Sequence, residues 1–134
     1  MKRYNLVLVY DEKKEKVLMC KREKEPFKGK YNLVGGKIEE NETDIESAYR
    51  ELKEETGISK SSIELKPIIN FEYPIEDNQI KVFVGKLKED VKLTEEINKL
   101  AWIDKNNDFH NLNEYAGDGN IWHMVHYANN YIAL

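Results

Sequence analysis

Three glutamates, Glu51, Glu54 and Glu55, crowd one stretch of the chain, "GGKIEENETDIESAYRELKEETGI" from Gly35 to Ile58. On a helix turning roughly 100° per residue they occupy a sector about 100° wide. Like charges at these spacings repel one another and weaken a helix. Either the carboxylates form a solvated face, with Arg50 and Lys53 as salt-bridge partners at helical spacings, or they converge on a cation. Oxygen-only ligands suit the hard ions Mg²⁺ or Mn²⁺, and this stretch holds no His or Cys that would favour zinc.

The elements around these carboxylates must position them. Thr43 and Glu46 have the spacing of a capping box, and Asn41 is an alternative cap. Ile45, Ala48, Tyr49 and Leu52 recur at helical intervals, so one face packs while the acidic face lies roughly 120° away. Gly57 ends the helix. Gly35 and Gly36 interrupt the preceding run Tyr31 to Val34, where the backbone needs freedom in φ or a close approach. "YNLVLVY", "KVLMCKR", "SIELKPIINFEYP", "NQIKVFVGKLK" and "KLAWIDK" read as strands, the first two joined by the charged hairpin "DEKKEK". "DGNIWHMVHYANNYIAL" has helical spacing at Ile121, Val125 and Ala128. This order predicts an α/β (α+β) fold, a mixed sheet with helices on two faces.

From Gly36 the chain reads Gly36, five residues, Glu42, seven residues, then Arg50-Glu51-Leu52-Lys53-Glu54-Glu55-Thr56-Gly57-Ile58. This resembles the signature of the Nudix hydrolases, G-x5-E-x7-R-E-U-x-E-E-x-G-U with U aliphatic, and every specified position is met. The resemblance implies an α/β/α sandwich carrying a loop-helix-loop. It also implies hydrolysis of a nucleoside diphosphate linked to another moiety, by water attack on phosphorus. Glu51, Glu54 and Glu55 would then ligate Mg²⁺ (or Mn²⁺), a Gly35 or Gly36 carbonyl would add a ligand, and Arg50 would orient a catalytic carboxylate. Glu42 would secure the loop before the helix. In "LTEEINKLAWID", Glu96 rather than Glu95 matches a glutamate that binds metal or serves as base in relatives.

The stretch "KGKYNLVGGKIEE" is similar to that of Nudix enzymes destroying oxidised purine nucleoside triphosphates, which implies that Asn32 contacts the base. "YAGDGNIWHM" resembles their base pocket in part. Asp118 matches its first acidic residue, but Gly119 replaces the second, and Ala116 stands where an aromatic would stack, with Tyr115 one position away. Asp118 reads equally as a helix cap. Phe27 and Tyr31 are stacking candidates, with core packing the alternative for Tyr31. Lys21, Arg22 and Lys37 are phosphate candidates, Lys37 foremost. Tyr73 and Pro74 point instead toward dinucleoside polyphosphate or ADP-ribose substrates. His110, His123 and His126 form no convincing metal set.

Composition bounds these readings. The 134 residues suit one domain, 1–134, and 40% hydrophobic with 34% charged residues is a globular profile. A net charge of −4 argues against broad nucleic-acid binding and leaves a small nucleotide, reached through cations, as the expected partner. No apolar run approaches the roughly 18 residues of a membrane span. The N-terminus reads as a strand rather than a signal peptide. The lone Cys20 falls in an apolar run, a buried thiol suited to a reducing cytoplasm. A monomer or homodimer is expected.

Overall fold

The computed structural model describes residues 1–95 and 98–134. The strands are β1 Lys2–Tyr10, β2 Lys16–Lys21, β3 Tyr31–Asn32, β4 Val34–Lys37, β5 Lys66–Tyr73, β6 Asn78–Lys86 and β7 Leu100–Asp104. The helices are α1 Asp44–Thr56 and α2 Asn120–Tyr131, with 3₁₀ turns at Lys60–Ser62 and Gly117–Gly119. The strands form one mixed sheet in which β1 and β6 pair in parallel and every other pairing is antiparallel.

One edge of β1 is divided between two partners. Tyr4 to Val7 pair with β4, while Tyr10 pairs with Val17 of β2. The expected single run Tyr31 to Val34 is accordingly broken at Leu33, where Asn32 Oδ1 accepts a hydrogen bond from Leu33 N at 2.8 Å. On one side of the break the chain pairs with β2, on the other with β1.

Side chains alternate across the sheet, as strand geometry requires. Val7, Val9, Leu18 and Phe83 pack under α1 with Ala48 and Leu52. Leu8, Tyr10, Met19 and Val84 pack under α2 with Ile121, Met124, Val125 and Ala128. With both faces covered, β1 reads as a nearly unbroken apolar run.

α1 starts on the expected capping box. Thr43 Oγ1 accepts from Glu46 N, and Glu46 Oε1 accepts from Thr43 N. It stops at Gly57, whose φ of 80° suits glycine, and the Gly57 N–H donates to the Lys53 carbonyl. Tyr49, at the edge of the packed stripe, accepts from Leu65 N through its hydroxyl.

Candidate active site

Gly35 and Gly36 do not interrupt a strand, as the sequence suggests; they lie inside β4. Close approach explains them, not backbone freedom. A Cβ at Gly35 would stand 2.2 Å from the Asn5 carbonyl oxygen, and one at Gly36 would stand 2.6 Å from the Glu51 carboxylate. The acidic face of α1 is thereby seated against bare β4 backbone.

The three glutamates occupy different environments along that face. Glu51 is mostly enclosed, with 15% of its side chain exposed, whereas Glu54 is 53% exposed. Arg50 Nη1 donates to both, to Glu51 Oε1 at 2.9 Å and to Glu54 Oε2 at 3.2 Å. Its Nε and Nη2 clasp Glu42 at 2.9 and 2.6 Å, and Nη2 also donates to the Lys37 carbonyl. The sequence offers Arg50 as a salt-bridge partner at helical spacing or as the residue that orients a catalytic carboxylate. The structure gives it three carboxylates and a carbonyl, so one guanidinium offsets much of the repulsion. Paired in this way, Glu42 is held down to a pKa of about 2, and its Oε1 also receives the Glu39 amide. Glu42 thus fastens the loop before α1.

Glu55 has no such partner among the described residues. Its Oε2 is buried and lacks a hydrogen bond. Burial, then the neighbouring Glu51 and Glu54 charges, push its pKa up to about 7, against the Gly35 backbone amide. Glu51 is also raised by burial, with Arg50 opposing. Among the described residues no three His, Cys, Asp or Glu side chains are gathered closely enough to hold a metal. The donor set nevertheless fits a hard cation. It is all oxygen and anionic, and it includes a buried carboxylate oxygen that has no donor among the described residues.

Beside this face lies a cavity of about 650 Å³ lined by Gly35, Gly36, Glu55, Asn32 and Phe27 together with apolar and aromatic groups such as Leu6, Phe71, Tyr73, Ile80 and Met124. Asn32 Oδ1 accepts from Leu33 N, and among the described residues its amide nitrogen has no partner and can donate. Arg22 also lines the cavity, while its Nε donates to the Pro26 carbonyl. Lys37 is exposed at the end of β4 and does not line the cavity. Tyr115 is buried against Phe109, at 5.0 Å between ring centroids, and so cannot stack on a ligand.

Glu96 lies outside the described residues. Asp118 has its backbone in the 3₁₀ turn, its side chain lies outside the described set, and the N-cap of α2 is Gly119 with no side-chain cap. Trp122 is stacked between His110 and His126, at 4.3 and 4.6 Å.

Two polar pairs escaped the sequence reading. Asn5 donates to Ser47 across the β1–α1 interface, and Asn120 donates to the Tyr73 hydroxyl at the cavity wall. Asn5 had a signal, a lone amide at the head of the apolar run "LVLVY".

The family profile for the NUDIX domain matches residues 2–121. The chain belongs to the Nudix family. It is 33% identical over 123 residues to an uncharacterised Nudix hydrolase of Bacillus subtilis, across 87% of this chain and 73% of that one. Over 47 residues it is 51% identical to an ADP-ribose pyrophosphatase of Methanocaldococcus jannaschii, covering 35% of this chain and 28% of the archaeal protein. Over 70 residues it is 37% identical to the oxidised purine nucleoside triphosphate hydrolase of Mus musculus, covering 52% of this chain and 44% of the mouse enzyme. The archaeal and mouse matches thus span less than half of those proteins. A Nudix family hydrolase structure from Clostridium perfringens superposes with a TM-score of 0.70 at 22% identity, across 92% of each chain, a likeness of fold.

Proposed function

We propose that this Nudix domain hydrolyses a nucleoside triphosphate to a nucleoside monophosphate and diphosphate, with 8-oxo-dGTP or a related oxidised purine nucleotide as substrate. One observation carries the reading. The acidic face of α1 and the aromatic-lined cavity meet at Gly35, Gly36 and Glu55, so a base in the cavity extends its phosphates toward the carboxylates. Glu51, Glu54 and Glu55, with a Gly35 or Gly36 carbonyl and Glu96, are the residues that would hold Mg²⁺ or Mn²⁺. Such an ion, when bound, supplies charge neutralisation of the polyphosphate and a more acidic water.

The side chains divide the remaining work. Arg50 orients Glu51 and Glu54 through Nη1. A glutamate of this face takes the proton of the attacking water, whose oxygen bonds to phosphorus as the diphosphate oxygen leaves. Phe27 stacks on the base, and Asn32 donates to a base carbonyl. Lys37, outside the cavity, is left with the outermost phosphates. No protein nucleophile is needed, and Cys20 offers none, since burial pushes its thiol up to about 12. A buried free thiol also accords with the reducing cytoplasm we assign to the chain.

The archaeal match favours a second reading, hydrolysis of ADP-ribose or another nucleoside diphosphate derivative. A non-catalytic binding module is the reading from another class, and the intact set Glu51, Glu54 and Glu55 argues against it. A Mg²⁺ panel of oxidised and normal triphosphates, ADP-ribose and dinucleoside polyphosphates, with product identification, separates the three. The proposal expects the highest kcat/KM on an oxidised purine triphosphate, with monophosphate and diphosphate as products. Preference for ADP-ribose overturns the substrate, and no turnover of any compound overturns the enzyme.

A further inference from the structure

Asn5 is a buried amide, 1% exposed, at the head of the apolar run Leu6 to Tyr10 of β1. Burying an amide is costly unless it is hydrogen-bonded, and an apolar residue would fill the space without that cost. Its partners therefore indicate what the amide is for. Asn5 Oδ1 accepts from Gly36 N at 3.1 Å, and Asn5 Nδ2 donates to Ser47 Oγ at 2.8 Å. Both partners bear on Glu51. Gly36 is the residue whose bare Cα faces the Glu51 carboxylate, and Ser47 lies one helical turn before Glu51 on α1. Ser47 is itself fully buried, and its hydroxyl donates onward to the Asp44 carbonyl at 2.6 Å. The backbone carbonyl of Asn5 is also the group that forbids a side chain at Gly35.

We infer that Asn5 is a positioning residue for the acidic face. Its side chain ties β4 to α1 at one point and so fixes the distance between the Gly36 backbone and the Glu51 carboxylate. This rests on the proposed reading of Glu51 as a metal-binding group. Asn suits the position because one side chain must accept from Gly36 and donate to Ser47 together. Leu would fill the space but take away the acceptor of the Gly36 N–H, and leave Ser47 Oγ only its own bond to the Asp44 carbonyl.

The test measures Mn²⁺ binding by electron paramagnetic resonance, without substrate, beside thermal melts. The variants are Asn5→Leu, which removes both bonds, and Ser47→Ala, which removes the link to α1 together with the hydroxyl's own bond to Asp44 and leaves the Gly36 bond in place. Tyr10→Phe is the control, because it removes a bond to Asn129 at the other end of β1. Groups that orient metal ligands typically change affinity by about 10- to 100-fold when removed. The inference expects weakening of that order in Asn5→Leu, a smaller loss in Ser47→Ala, and wild-type affinity in Tyr10→Phe whatever its melting temperature. Wild-type Mn²⁺ affinity in both site variants overturns it, as does equal weakening in Tyr10→Phe. Should Asn5→Leu not fold, Ser47→Ala against Tyr10→Phe decides. A wild-type protein that binds no Mn²⁺ overturns the reading of the acidic face beneath the inference, and the inference with it.

Discussion

Arg50 Nη1 is shared by Glu51 and Glu54 while the rest of the guanidinium holds Glu42, so the charge balance of α1 is settled residue by residue. Glu42 has a folded pKa of about 2, below the ordinary 4.5. A depressed carboxylate contributes stability that is present above the unfolded value and lost as pH falls through the folded one. Glu42→Gln should therefore melt below wild type near neutral pH, and the two curves should converge between about 4.5 and 2. A constant gap down to pH 2 would show that the ion pair is not the cause. Asn32 is tested by selectivity. Asn32→Ala should narrow the kcat/KM ratio between 8-oxo-dGTP and dGTP, and an unchanged ratio removes Asn32 from base reading.

The two β4 glycines make opposite predictions for one added methyl. At Gly35 the obstacle is the Asn5 backbone, which cannot swing aside, so Gly35→Ala should lose stability, about 1–3 kcal/mol or more by denaturant melts. At Gly36 the obstacle is the end of the Glu51 side chain, which can move. Gly36→Ala should keep the fold and lose activity as the carboxylate is displaced. Equal losses of stability in the two would contradict the cradle. α1 was legible in the sequence because its cap, apolar stripe and stop are local: Thr43 with Glu46, Ile45 to Leu52, and Gly57. The break at Leu33 was not, because it depends on which strand lies alongside, and β1 is shared between β4 and β2. The glycines were legible only as a choice between backbone freedom and close approach, which the Asn5 carbonyl and the Glu51 carboxylate decide.

At the scale of the molecule, the apolar strand runs fixed the two-faced mixed sheet, and the regular spacing of one signature fixed the acidic face. The cavity was harder to read, since its walls come from β1, β2, β5, β6 and α2, far apart in the chain. Tyr115, one position from where the resemblance has a stacking aromatic, belongs to the core, and the partial likeness to a base pocket did not show the Tyr73–Asn120 pair. Glu54 stands most exposed of the three glutamates and away from the packed face, so altering it probes chemistry with little effect on folding. The decisive measurement is kcat of Glu54→Gln on 8-oxo-dGTP in saturating Mg²⁺, with a melt on the same sample. A fall by orders of magnitude at an unchanged melting temperature is the predicted result, and near-wild-type turnover would contradict the assignment of this carboxylate to the metal.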